Sequence, residues 1–257
     1  GINDLTDTRT LAHLLKHDTN YGEFQHDVSF DEKNIVVDGV KIPVSAEKDP
    51  TALPWSTLQV DVVVESTGRF TTTEQASAHL KAGAKKVVIS APAKDDETAT
   101  LVIGANEDSL AQAGDVVSNA SCTTNSIAAV MSIMELEFGI EKAMLTTVHS
   151  YTATQVLQDG PSKDLREARA AAQNLVPTTT GAAKAVALTV TSLKGKFDGL
   201  SVRVPTSVVS LSDVTMLLKR NTTIDEINDV FKKHVKEPYF QGILAVSEEP
   251  LVSSDYI

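Results

Sequence analysis

The first half of the chain alternates short apolar runs with a helix-like segment, and this alternation restricts the fold more than any other feature. Val60–Glu65, Lys86–Ser90 and Val116–Ser118 have the composition of buried strands, and Thr73–Ala82 has a helical pattern. Parallel strands need a crossover connection, which is usually a helix, so strands alternating with helices indicate a mostly parallel sheet covered on both faces. The sequence therefore predicts an α/β fold for this half.

Three shorter elements are predicted in the same half. A helix is expected after Thr6-Asp7, because Asp and Thr are common capping residues. Asp38-Gly39 lies between two apolar runs and is typical of a two-residue hairpin turn, so Ile35–Val44 is predicted to be a hairpin. Leu101–Ile103 is predicted to be a short strand.

The pattern changes after Cys122. Apolar spacing predicts an amphipathic helix over Asn125–Phe138 and a helical patch over Leu165–Ala172, whereas Leu200–Val204 and Val208–Leu218 have the pattern of long strands. Long strands with helices grouped on one side indicate an α+β domain with a mixed or antiparallel sheet. The chain is therefore expected to contain two domains of different architecture.

Composition excludes several classes of protein. The chain has 257 residues, with 23 Lys+Arg against 34 Asp+Glu and a net charge of −11, so no nucleic acid partner is expected. No apolar run approaches the roughly 20 residues of a membrane span, and the N-terminus lacks the pattern of a secretion signal. The single cysteine excludes an intrachain disulfide and a multi-cysteine metal site, which predicts a reducing, cytoplasmic setting with no bound metal.

Cys122 and His149 are the candidate chemical groups. Cys122 directly precedes a predicted helix, where the dipole and the unpaired N–H groups favour a thiolate and can hold an oxyanion. His149 ends a predicted strand, from which it can act as a base for a cysteine. The alternatives are a buried, inert cysteine and a structural histidine, and the residue types alone leave them open.

Two further segments have weaker signals. Thr178–Gly181 begins a predicted helix, and Arg203 lies on a predicted strand, a combination that suits a phosphate. A simple helix cap explains the threonines equally well, and a salt bridge explains Arg203. Asn3-Asp4 has the character of an acidic turn that holds a ribose, but no glycine-rich turn precedes it.

Together these segments resemble the phosphorylating glyceraldehyde-3-phosphate dehydrogenase family. SNASCTTNS is similar to the active-site segment of that family, and HSYTATQ is similar to its histidine segment. The matching segments follow one another in the family's order: Glu65–Phe70, Gly83–Asp95, Ser118–Ser126, His149–Gln155, Ala170–Val186, Arg203–Thr206 and Ser253–Tyr256.

The resemblance implies a Rossmann-type NAD-binding domain over residues 1–121 and a catalytic domain over residues 122–257. It implies that Cys122 is the nucleophile and His149 the base. The family's substrate-phosphate contacts fall on Thr152, Thr154 and Arg203, its inorganic-phosphate contacts on Ser121, Thr123, Thr180 and Gly181, and its adenosine contacts on Asn3, Asp4, Thr67, Gly68 and Ser90. An acidic Asp4 favours NAD over NADP. The implied substrates are D-glyceraldehyde 3-phosphate and inorganic phosphate, and the implied assembly is a cytoplasmic homotetramer.

The chain differs from the family pattern in three places. Ser126 replaces a second cysteine, which is chemically tolerable. The family's glycine-rich fingerprint has no counterpart before Asp4, and its C-terminal strand and helix have none after Tyr256. We therefore expect an incomplete cofactor domain, an exposed edge on Val60–Val64 and weak or absent NAD binding. Two alternatives stay open: an erythrose 4-phosphate dehydrogenase, and an inactive fragment that functions only in binding or assembly.

Overall fold

The computed structural model describes residues 1–257, which divide into two compact units. The first contains Gly1–Ala99 and Gly114–Ser118, and the second contains Thr100–Ala113 and Asn119–Ile257. In chain order, the elements up to residue 118 are β1 Ile2–Asn3, α1 Thr8–Lys16, β2 His17–Asp18, β3 Gly22–Glu23, β4 Val28–Phe30, β5 Asn34–Val37, β6 Val40–Ser45, β7 Val62–Glu65, α2 Thr73–Lys81, β8 Lys86–Ile89, β9 Ala99–Thr100 and β10 Val116–Ser118.

The predicted hairpin is confirmed in a sheet of order β1-β6-β5-β4. β5 and β6 pair in antiparallel fashion around Asp38-Gly39, whose φ angles of 49° and 80° are those of a tight hairpin turn. β1 pairs with β6 in parallel, with Ile2 opposite Val44. The predicted helix before this hairpin is also confirmed, because the Asp7 side chain accepts from the Thr10 N–H at the start of α1.

The predicted parallel sheet is confirmed in β7, β8 and β10. Val62 lies opposite Lys86, and Val116 lies opposite Val87. Its centre is fully buried around Val87, Ile89 and Ala76 of α2. β7 lies at the end of this sheet, so the expected open edge is present. The prediction that both faces of the sheet are covered is wrong at β7, because only its alternate residues face the core, and the outward Val62 and Val64 are 51% and 64% exposed.

The second unit contains one mixed sheet packed against helices. Its elements are α3 Cys122–Glu137, β11 Ile140–Ser150, β12 Val176–Thr179, α4 Ala182–Thr189, β13 Phe197–Val204, β14 Leu211–Leu218 and α5 Ile224–His234. The strand order is β12-β13-β11-β14, with β11 and β13 parallel and both outer pairs antiparallel. The core contains Met131 of α3, Leu145 of β11 and Val186 of α4, so the predicted α+β architecture is confirmed.

Two element predictions are wrong. The strand lies at Ala99–Thr100 rather than at Leu101–Ile103, because the Asn106 side chain accepts from the Val102 N–H and donates to the Thr100 carbonyl, which closes a turn. Leu165–Ala172 forms no α-helix. Leu165 is 83% exposed, so an apolar stripe there has nothing to pack against, and only the short 3-10 turn Ala171–Gln173 forms.

Two boundaries also differ from the sequence prediction. The helix predicted from Asn125 already begins at Cys122, because Ser121 caps it. The strand predicted from Val208 begins at Leu211, because Val209 has a φ of 66°, which is incompatible with an extended strand. None of the helices has both the length and the apolar composition that a transmembrane segment requires.

Candidate active site

Cys122 is the first residue of α3, at the positive end of the helix dipole. The Ser121 hydroxyl accepts from the Thr124 N–H at 3.1 Å and caps the helix. Asn125 fixes the preceding turn by donating to the carbonyl oxygens of Asn119 and Ser121. Cys122 is exposed, so the thiol is held by a rigid backbone and is accessible to a reactant.

His149 lies within reach of this thiol. The alternation of β11 places Leu145, Thr147 and His149 on its buried face, and His149 Nε2 is 3.4 Å from Cys122 Sγ. The hydrogen bond from His149, together with smaller contributions that include Thr123, lowers the pKa of Cys122 to about 7 and outweighs the partial desolvation of the sulfur, which raises it. The same bond raises the pKa of His149. Both shifts favour a thiolate–imidazolium pair.

Arg203 is the third member of this group. The parallel register places it directly opposite His149, with Nη1 2.6 Å from His149 Nδ1 and 3.0 Å from the Ser150 carbonyl oxygen. Arg203 forms no salt bridge with an acidic residue, and its Nε is buried without a hydrogen-bond partner. No hydrogen bond joins Arg203 directly to Thr152, the threonine expected to share the substrate phosphate with it; its side-chain neighbour in the structure is His149.

The other predicted phosphate ligands form two separate groups. Thr152 and Thr154 lie on the loop after β11, with their hydroxyls 3.0 Å apart. Gly181 is the N-cap residue of α4, and the Thr180 hydroxyl before it accepts from the Ala182 N–H at 3.1 Å. No hydrogen bond joins either group to Cys122. Thr123 lies beside Cys122 and contributes to lowering its pKa.

The five predicted adenosine ligands lie in the first unit, and three of them line the same cleft. Asn3, Asp4 and Thr67 line a cleft of about 330 Å³, whereas Gly68 and Ser90 are not among its lining residues. Asp4 Oδ1 accepts from the Thr6 N–H at 2.9 Å, which leaves Oδ2 free of a hydrogen bond. Asn3 is tied to Glu47 and Ser45, so Asp4 is the side chain here with acceptor capacity for a ligand.

A buried polar chain beneath this cleft was not found from the sequence. Trp55 Nε1 donates to His79 Nδ1 at 3.1 Å, and His79 Nε2 is 2.8 Å from Glu65 Oε2. Glu65 Oε1 accepts from the Thr67 N–H at 2.7 Å. Burial raises the pKa of Glu65, but the hydrogen bonds from His79 and Thr67 outweigh it and lower the pKa overall. The only feature of the sequence that could have indicated this chain is Glu65, a charged residue in a strand predicted to be buried.

Potential metal ligands are not clustered. His13 and His17 have the i, i+4 spacing that helical metal sites use, but their rings pack together with centroids 4.9 Å apart. No group of three or more His, Cys, Asp or Glu side chains in the chain could hold a metal ion.

Comparison with known proteins identifies the family. The NAD binding domain of glyceraldehyde 3-phosphate dehydrogenase matches residues 1–73, and the C-terminal domain of that enzyme matches residues 121–257. Glyceraldehyde-3-phosphate dehydrogenase of Geobacillus stearothermophilus is 54% identical over the whole chain, which covers 76% of that protein. The chain belongs to the glyceraldehyde 3-phosphate dehydrogenase family. The enzyme of Streptomyces coelicolor is 51% identical over 99% of the chain and 76% of its own length.

Members of the glyceraldehyde 3-phosphate dehydrogenase family are NAD-dependent oxidoreductases, so the predicted family, Rossmann-type fold and cofactor are confirmed. Within the first unit, Asp4 is the residue whose surroundings suit NAD. Asp4 directly follows β1, lines the cleft and has a free carboxylate oxygen, which suits a ribose hydroxyl.

Proposed function

We propose that this chain oxidises D-glyceraldehyde 3-phosphate to 1,3-bisphosphoglycerate in glycolysis, with NAD as cofactor and inorganic phosphate as second substrate. The contact of 3.4 Å between Cys122 Sγ and His149 Nε2, at the start of a helix, supports it most directly. Family membership favours this substrate over erythrose 4-phosphate, because the relatives carry the glyceraldehyde 3-phosphate name. We assign residues 1–121 to cofactor binding and residues 122–257 to catalysis.

In the proposed reaction, Cys122 Sγ attacks the aldehyde carbon as a thiolate, and the His149 imidazolium gives its Nε2 proton to the developing alkoxide. The product is a thiohemiacetal and a neutral His149. A bound NAD would supply the acceptor for the hydride of that carbon. His149 Nε2 takes back the hydroxyl proton as the hydride leaves, and Cys122 then holds a thioester.

Inorganic phosphate completes the reaction. A phosphate oxygen attacks the thioester carbon, the carbon–sulfur bond breaks, and Cys122 leaves as a thiolate. A helix N-terminus and hydroxyl groups suit the charge of these anions. We assign inorganic phosphate to Ser121, Thr123, Thr180 and Gly181, the substrate phosphate to Thr152, Thr154 and Arg203, and adenosine to Asn3, Asp4, Thr67, Gly68 and Ser90.

We also propose a cytoplasmic homotetramer. The outward face of the mixed sheet exposes Met144, Leu200, Leu211 and Leu217 by 46–62%, which is the kind of apolar surface that a subunit interface covers. The single free cysteine is compatible with a reducing compartment. Sedimentation equilibrium of the purified chain should give four times the chain mass; a monomer would refute the assembly.

A coupled assay tests the activity. We expect NADH formation that requires D-glyceraldehyde 3-phosphate, NAD and inorganic phosphate together, and that Cys122→Ser abolishes. Greater catalytic efficiency with erythrose 4-phosphate would establish the related activity instead. A folded chain that forms no NADH with either sugar phosphate would indicate a protein that functions only in binding or assembly.

A further inference from the structure

The chain contains three Asp-Gly pairs: Asp38-Gly39, Asp159-Gly160 and Asp198-Gly199. An aspartate that precedes glycine can rearrange spontaneously, because glycine has no side chain to keep its backbone nitrogen away from the aspartate carboxyl group. In the unfolded chain this rearrangement is open to all three pairs. In the folded protein, the contacts of each carboxylate decide which pair can react.

In two of the pairs, both oxygens of the carboxylate are held by other parts of the chain. Asp38 Oδ2 lies 2.6 Å from His26 Nδ1, and Asp38 Oδ1 accepts from the Asp27 N–H at 2.9 Å. Asp159 Oδ1 accepts from a backbone N–H of its own loop at 3.0 Å, and Oδ2 accepts from Arg169 Nε at 2.8 Å. In each case these hydrogen bonds lower the pKa of the carboxyl group. Because a carboxyl group must be protonated to lose its OH as water, both pairs are protected.

The carboxylate of Asp198 contacts only the glycine that follows it. Asp198 Oδ1 accepts from the Gly199 N–H at 2.8 Å, and no hydrogen bond engages Oδ2. The Gly199 N–H is available for this contact because β12 pairs with β13 only from Leu200 onward. The contact holds the Gly199 nitrogen close to the carboxyl carbon of Asp198, which is the approach that ring closure needs. Asp198 is also exposed, so water can reach it.

We propose that Asp198 is a modification site at which the chain isomerises spontaneously to isoaspartate. The Gly199 nitrogen attacks the carboxyl carbon of Asp198 and loses its proton, and the carboxyl OH leaves as water, which closes a succinimide ring. Water then opens the ring: addition at the side-chain carbonyl restores aspartate, and addition at the main-chain carbonyl gives isoaspartate. The mass is unchanged, but the Cβ of residue 198 becomes part of the main chain near the start of β13, the strand that carries Arg203. The main-chain carboxylate released in this way is the group that protein isoaspartate methyltransferases methylate.

Ageing of the purified chain at neutral pH tests the site directly. Timed samples are digested, the isomeric peptides are separated by chromatography, and electron-transfer fragmentation identifies isoaspartate at each Asp-Gly pair. We expect isoaspartate to accumulate at least about tenfold faster at Asp198 than at Asp38 or Asp159, because reacting groups already in contact need less reorganisation. In urea, where the contacts of all three carboxylates are lost, the three pairs should react at similar rates. Methyl transfer from labelled S-adenosylmethionine by an isoaspartate methyltransferase gives an independent measure of the total.

Two variants make the test specific. Asp198→Glu keeps the charge but lengthens the side chain beyond a succinimide ring, so most of the methyl label should disappear. Arg169→Gln frees one carboxylate oxygen of Asp159 and should speed isomerisation there severalfold, while the rate at Asp198 stays the same. Equal rates at the three pairs of the folded wild type, or a faster reaction at Asp38 or Asp159, would overturn the proposal. That comparison within one molecule decides the question even where a variant fails to fold, and it is independent of the proposed catalytic activity.

Discussion

Trp55 fixes the proton of His79. An indole nitrogen can only donate, so the Trp55 Nε1 contact of 3.1 Å with His79 Nδ1 places the proton of the neutral ring on Nε2. That proton is directed to Glu65 at 2.8 Å, and Glu65 in turn accepts from Thr67 at the cofactor cleft. The position of Thr67 at the cleft therefore depends on Trp55, through His79 and Glu65.

Trp55→Phe should destabilise the protein by about 1–3 kcal/mol, because it leaves His79 Nδ1 buried without a donor. Urea unfolding followed by far-ultraviolet circular dichroism measures the free energy of unfolding without relying on the lost fluorophore. Tyr21→Phe is the control, because Tyr21 is 76% exposed and its hydroxyl makes no hydrogen bond; it should change stability by less than about 0.5 kcal/mol. Equal stability of the two variants would contradict a structural role for the tryptophan donor.

Alkylation of Cys122 should depend on pH with a midpoint near 7. The hydrogen bond from His149 lowers the pKa of the thiol to about 7, so half of it is thiolate at that pH. His149→Asn should return the pKa toward the ordinary value of about 8.5 and slow iodoacetamide labelling at pH 7 roughly 15-fold. Mass spectrometry of timed samples gives the rates. His13→Asn, at an exposed histidine of the first unit, should label like the wild type; if His149→Asn does so too, His149 does not activate the thiol.

Arg203→Ala should weaken turnover of the phosphorylated substrate selectively. Loss of a charged Arg–phosphate contact is worth about 1.5–3 kcal/mol, so kcat/KM for D-glyceraldehyde 3-phosphate should fall roughly 10–150-fold. The value for unphosphorylated glyceraldehyde should change far less, and Arg166→Ala should change neither. Equal losses on both substrates would make Arg203 a structural residue and remove the phosphate assignment.

Asp4→Ser should narrow the preference for NAD over NADP. The free carboxylate oxygen suits a ribose hydroxyl and repels a 2′-phosphate. We expect the ratio of the two dissociation constants to shift about tenfold toward NADP, or about 1.4 kcal/mol. Isothermal titration calorimetry measures both constants, and Asp96→Ser removes an exposed loop carboxylate as a charge-matched control. An unchanged ratio would place the ribose elsewhere.

Val209→Gly should leave the protein about 1–3 kcal/mol more stable than Val208→Gly. The two valines are adjacent and both half-buried, but only Val209 has a left-handed φ, of 66°. A β-branched residue is strained there and glycine is not, whereas both variants gain the same freedom when unfolded. Urea midpoints of the two variants give the difference. If Val209→Gly were the less stable, packing of that side chain would outweigh the strain.

The sequence predicted correctly those turns and helix starts that are stabilised by residues close to one another in the chain. The Asp38-Gly39 turn, the Asp7 cap and the helix at Cys122 each depend on hydrogen bonds between neighbours in sequence. Leu165–Ala172 failed for the opposite reason. Its apolar spacing is helical, but a short helix needs a surface to pack against, and the fold provides none there.

Contacts between distant residues could not be predicted in this way. Cys122 and His149 were paired through the family resemblance, and the structure places them 3.4 Å apart. The contact of Arg203 with His149 depends on the register of two strands, and the Trp55–His79–Glu65 chain depends on packing between a turn, a helix and a strand. Register and packing are properties of the whole fold, which periodicity within one segment does not encode.

Because β11 and β13 are paired in parallel, the distance between His149 and Arg203 does not depend on the length of the chain that connects them. His149 and Arg203 sit side by side because their strands are hydrogen-bonded in one register, whatever path the chain takes from one to the other. A residue inserted in β13 would place Val202 or Val204 beside His149 instead, whereas one inserted in the exposed loop near Asp159 would leave the pair in place. Evolution can therefore change the sequence and length of the loop, and with them the substrates that reach the site, while His149 and Arg203 stay side by side.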